Sequence, residues 1–173
     1  YCASGLAMLP GGAHFVSVSD DTTVKLWTLD GALERVFAVG TPVLSVAALP
    51  DGVHFVAGIC DPYDVRLYHV DGTFVHSFEG HSSYVEAVAV TPDGQHILSG
   101  SRDKLVKVWS VASNSRVSTC AGHTGGVYAV AAMPDGQRFL SGSGDGTVRV
   151  WLLNGTLTVS YTHLTLPTNV AVG

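Results

Sequence analysis

The chain has 173 residues and a formal net charge of −5, with 46% hydrophobic but only 13% charged residues, about half the usual charged share. Its nine Lys and Arg residues are scattered rather than banked on one stretch, which argues against a nucleic-acid-binding face. No window offers about 18 uninterrupted apolar residues, so no membrane-spanning helix is expected. Cys2, Cys60 and Cys120 have neither metal-site nor framework spacing. They point to reduced thiols in an intracellular protein, cytoplasmic in the first instance with the nucleus left open.

Along the chain one turn signal returns four times: Pro10-Gly11-Gly12, Pro50-Asp51-Gly52, Pro92-Asp93-Gly94 and Pro134-Asp135-Gly136. A bulky aromatic keeps the same stride of about 41 residues at Trp27, Tyr68, Trp109 and Trp151. Self-similarity at this period means units that bury their apolar faces only against neighbours. Within each unit lie short runs rich in Val, Ile, Leu, Phe and Thr, such as 85–90, 96–101 and 106–110. Turn residues separate them, including Asp71-Gly72 and Asn154-Gly155. Runs this short are strands, and no stretch keeps a helical beat. The fold class is therefore all-β.

Aligned on the aromatic, three units read SVSDDTTVKLW (17–27), SGSRDKLVKVW (99–109) and SGSGDGTVRVW (141–151). The last two follow Gly80-His81 and Gly122-His123. In these residues the chain resembles the WD-repeat family of β-propellers. The resemblance covers residues 1 to about 158 and implies a partial β-propeller, an open arc of about four four-stranded antiparallel blades. The units would span about 1–38, 39–80, 81–122 and 123–158. A β-sandwich, the other all-β candidate, would not require the same polar residues in every unit.

His81, Ser99 and Asp103 form a Ser-His-Asp set by composition, as do His123, Ser141 and Asp145. An enzyme needs one activated nucleophile in one cleft, whereas a set recurring in successive units is structural. The resemblance implies buried polar tetrads: His81, Ser99, Asp103 and Trp109, then His123, Ser141, Asp145 and Trp151. The first unit supplies Ser17, Asp21 and Trp27. The second departs, with Val39, Ala57 and Tyr68 at the His, Ser and Trp positions and a turn one residue longer at 60–64. That unit is expected to be held by apolar packing alone.

No cofactor is expected, since the glycines form no phosphate-binding loop. His14, His54 and His96 occupy equivalent strand positions that diverge around a ring, so no metal site is expected either. What remains is recognition of a protein or peptide partner, without nucleic acid, membrane or metal. The resemblance places it on the narrow face of the propeller. Carried over residue by residue, the contact positions are Tyr84, Glu86 and Arg102 in the third unit and Gly126, Tyr128 and Gly144 in the fourth. Pro42, Leu44 and Cys60 match in the second, and Cys2, Ser4 and Asp20 in the first. The function implied is a noncatalytic interaction scaffold within a larger protein or complex. The alternative is the regulatory or targeting propeller of a multidomain enzyme whose catalytic domain lies outside the chain. Residues 159–168 match a translated sequencing-library adapter. Residues 159–173 are thus expected to be a non-native tail, and the propeller to be cut short at both ends.

Overall fold

The structure is a computed structural model, described here for residues 2–162. Sixteen strands form four antiparallel sheets, each pairing its strands in chain order. The first blade holds β1 (Ala3–Met8), β2 (His14–Ser19), β3 (Thr23–Thr28) and β4 (Leu33–Ala38). The second holds β5 (Val43–Ala48), β6 (His54–Ile59), β7 (Val65–His69) and β8 (Phe74–Phe78). The third holds β9 (Val85–Val90), β10 (His96–Ser101), β11 (Val106–Ser110) and β12 (Ser115–Cys120). The fourth holds β13 (Val127–Ala132), β14 (Arg138–Ser143), β15 (Thr147–Leu152) and β16 (Leu157–Thr162). None of the four sheets closes on itself, and together they make an open partial propeller. Pairing on β15 runs through Thr162, four residues into the stretch read as a foreign tail; residues 163–173 lie outside the described residues.

The recurring proline turn joins the first two strands of every blade. In the third, the Gly94 amide donates to the Thr91 carbonyl at 2.8 Å and Gly94 has φ +70°. Only glycine enters that left-handed region without strain, so the Gly of the motif is dictated by turn geometry. First strands of successive blades lie side by side, β1 against β5, β5 against β9 and β9 against β13. Three apolar cores fill the seams between blades. Val18, Val43 and Phe55 anchor the first, Phe78, Ile97 and Trp109 the second, and Val106, Val127 and Trp151 the third. Faces without a neighbouring sheet stay open, and Leu6 on the first blade is 67% exposed.

Every first strand also carries one residue too many. The register jumps across Ser4, Leu44, Glu86 and Tyr128, leaving each opposite no single partner. A β-bulge of this kind re-aims a side chain. These four are the equivalent contact positions expected from the sequence.

Candidate functional site

In the third blade the polar residues join in one chain. The Trp109 indole donates to Ser99 Oγ at 2.8 Å, Ser99 Oγ meets His81 Nε2 at 2.8 Å, and His81 Nδ1 meets Asp103 Oδ2 at 2.7 Å. A carboxylate only accepts, so His81 donates from Nδ1 to Asp103. The fourth blade repeats the arrangement, with Trp151–Ser141 at 2.8 Å, Ser141–His123 at 2.7 Å and His123–Asp145 at 2.9 Å. The first blade has the Trp27–Ser17 bond at 2.8 Å, while Asp21 accepts from the Thr23 amide and hydroxyl.

Burial acts to raise the Asp103 carboxyl, but the His81 hydrogen bond and charge and the Ser82 and Leu105 amides outweigh it and hold it below its ordinary value. Asp145 is likewise depressed: burial opposes, while the Thr147 hydroxyl, the Thr124 amide and His123 prevail. Ser99 is 0% exposed and already bonded on both sides. Such a hydroxyl is enclosed on both sides by its own hydrogen-bond partners.

The second blade corrects the expectation of apolar packing alone. Asp64 Oδ2 accepts from Arg66 Nε at 3.0 Å and from the Ser77 hydroxyl, and an Arg66 terminal N–H donates to the Val39 carbonyl at 3.3 Å. A part-buried ion pair with backbone and hydroxyl partners thus replaces the tetrad. Tyr68 stacks on Phe55 with ring centroids 5.5 Å apart.

The tetrad reaches the loop entering β9 through the backbone. Asp103 Oδ2 takes the Ser82 amide at 3.1 Å, Ser101 Oγ donates to the Ser83 carbonyl at 2.9 Å, and the Arg102 amide donates to the Tyr84 carbonyl at 3.0 Å. The loop entering β9 and the turn before β11 are therefore pinned together, and Tyr84 and Arg102 with them. The Arg102 guanidinium carbon sits 5.0 Å from the Tyr84 ring centroid, and its Nε donates to Glu86. Tyr63, 5.7 Å from Tyr84 between centroids, extends the cluster into the second blade. Tyr128 covers the cradle of Gly126 and Gly144, where added Cβ atoms would come within 3.2 and 3.1 Å of its ring. A Cβ on Gly126 would also lie 3.3 Å from the Arg102 Cα, so Tyr128 adjoins Arg102. Burial pushes the nearby Cys60 thiol above its ordinary value, with Tyr84 opposing.

Of the expected contact residues, Tyr84, Glu86, Arg102 and Tyr128 thus come together, with Cys60, Gly126 and Gly144 beside them. Asp20 bonds instead to the Ser4 hydroxyl at 3.0 Å on the first blade. Leu44 is a half-buried bulge residue of the second. Tyr63 is the residue that reading the sequence missed; its signal was an aromatic in the lengthened turn. His14 pairs with Glu34 at 3.3 Å and His54 with Asp51 at 2.7 Å. Among the described residues no group of three or more His, Cys, Asp or Glu side chains is placed to hold a metal ion.

The model of the WD domain, G-beta repeat, matches residues 2–28, 72–110 and 114–151, more than half of the chain. The gap at 29–71 contains most of the second blade, where the tetrad is replaced. No curated protein matches the chain. With four sheets of the expected topology and a family match over three stretches, the chain belongs to the WD-repeat family.

Proposed function

We propose that the chain is a noncatalytic protein-interaction scaffold whose narrow rim over the second to fourth blades holds a partner segment. Repeats of this family generally serve as protein-interaction scaffolds. The observation that carries the reading is the continuous patch Tyr63–Tyr84–Arg102–Tyr128, which crosses two blade seams. Tyr and Arg are the residue types that dominate interface energetics. Burial of Ser99 and Ser141 supports the noncatalytic half of the reading.

Quantitative capture from cell lysate tests it. The full chain is compared with its Tyr84→Ala, Arg102→Ala and Tyr128→Ala variants. At least one substitution is expected to cost about 2 kcal/mol or more in affinity for a captured partner. Alanine at His14, His54 or His96 is expected to change little. Capture that survives all three rim substitutions places the binding face elsewhere.

A further inference from the structure

The charge that the rim offers to a partner is decided by which half of one ion pair solvent can reach. Arg102 bonds to Glu86, yet the arginine side chain is 50% exposed and the glutamate 16%. A bulge sets Glu86 beneath the guanidinium, where it accepts from Nε. Tyr84 holds the cation from one side. Among the described residues the two terminal nitrogens of Arg102 make no hydrogen bond. The guanidinium is thus fixed on its inner edge, with its outer fork turned to solvent. A fork held in this way is set for the bidentate pairing that arginine makes with carboxylates and phosphates. Lys104, exposed in the same turn, adds positive charge, whereas Asp103 is turned inward to His81.

The valence of the ligand follows from the same arrangement. Glu86 already offsets one charge at the guanidinium, and Asp61 stands exposed in the neighbouring turn. A phosphate dianion would meet both carboxylates with one fork to hold it. A single carboxylate matches the residual charge. On either side lie tyrosines: Tyr63 and Tyr84 toward the second blade, and Tyr128, 53% exposed, toward the fourth. Tyr63 is held at φ +73°, a region where bulky residues are outliers.

We propose, building on the rim reading above, that the partner is an acidic linear peptide. An Asp or Glu carboxylate of that peptide is gripped end-on by the Arg102 fork, and apolar or aromatic neighbours of the acid lie on Tyr84 and Tyr128. Glu86 and Tyr84 are positioning residues for that fork.

The test is selection of phage-displayed random dodecapeptides on the full chain, tethered sparsely to a surface. Enriched clones are expected to share an Asp or Glu beside an aromatic or aliphatic residue. A synthetic peptide of the leading clone should lose at least tenfold in affinity when its acid becomes Gln, and likewise when the chain carries Arg102→Gln. The two losses should not add, because both remove one contact. Arg102→Lys, which keeps the charge and loses the fork, should fall between. Clones rich in Lys or Arg, a Gln peptide bound equally well, or a phosphoserine version bound more tightly would overturn the acidic-peptide proposal. In each of those cases binding that still falls with Tyr84→Ala and Tyr128→Ala leaves the rim reading standing. Binding indifferent to both tyrosines overturns the rim reading itself, and failure to enrich any clone counts against both.

Discussion

Replacing Ser99 by alanine removes one oxygen atom and two hydrogen bonds. The Trp109 indole N–H and His81 Nε2 both end on that oxygen at 2.8 Å. Trp109 is 2% exposed and the His81 side chain 0%, so water cannot take over either bond. Each orphaned group costs about 1–3 kcal/mol, and the lost atom adds almost no cavity. We expect Ser99→Ala to lower stability by about 3 kcal/mol, because the two orphans arise together. For a chain of this length that corresponds to a melting temperature lower by about 6–12 °C. Calorimetry and urea titration of the full chain measure it. The combined His81→Val, Ser99→Ala, Trp109→Phe variant removes the three groups that meet at that oxygen and leaves Asp103 to the Ser82 and Leu105 amides, and apolar replacement of bonded groups together can be nearly neutral. It should cost less than the sum of its single changes. A loss below about 1 kcal/mol for Ser99→Ala would refute the claim that the buried chain holds the blade.

Asp103 and Asp145 both have depressed carboxyls in the folded chain. Their contribution is therefore present above the unfolded value near 4 and is lost as pH falls through the lower folded value. Acid titration followed by circular dichroism should show a shallower loss of stability below about pH 4 in the Asp103→Asn, Asp145→Asn double variant than in the parent. An unchanged slope contradicts the assignment. In the second blade Arg66→Met strands the Asp64 carboxylate, 5% exposed at its side chain, and should cost about 3 kcal/mol. Adding Asp64→Leu should recover part of that; a loss no larger than that of the exposed change Lys104→Met argues against a structural ion pair.

How far the sequence leads depends on whether the signal is local. The blade count follows from Pro-Asp-Gly and aromatic spacing, because each marker sits in a turn or strand whose conformation it dictates. Ser99, Asp103 and Trp109 fall within eleven residues, so their alignment across units exposes the shared network. The Asp64–Arg66–Ser77 network is harder to see. Asp64 lies in a lengthened turn where acids are ordinary, and Ser77 reaches it only through the pairing of β7 with β8. Bulges at Glu86 and Tyr128 are changes of backbone register, which residue types do not announce. The rim therefore appears in the sequence as separate candidates. Only the fold shows that Tyr63, Tyr84, Arg102 and Tyr128 form one surface.

Cohesion and recognition share atoms in the third blade, and one substitution separates this from a rim that merely sits on a stable sheet. Asp103 uses Oδ2 for His81 and the Ser82 amide, and Oδ1 for the Leu105 amide. All three partners donate. Asparagine offers one acceptor and a pair of donors, so in either orientation its amide nitrogen faces a donor. Asp103→Asn should release the loop entering β9 from the turn before β11, freeing the backbone that carries Tyr84 and Arg102. Native-state hydrogen exchange is the direct measure, because it reports local opening segment by segment. Amides of 82–86 and 101–105 should exchange at least tenfold faster in the variant, while those of 124–128 in the fourth blade keep their protection. Equal acceleration in both blades would mean that the substitution lowers global stability only. Unchanged exchange at 82–86 would mean that the rim is shaped by strand pairing alone, independent of the buried carboxylate.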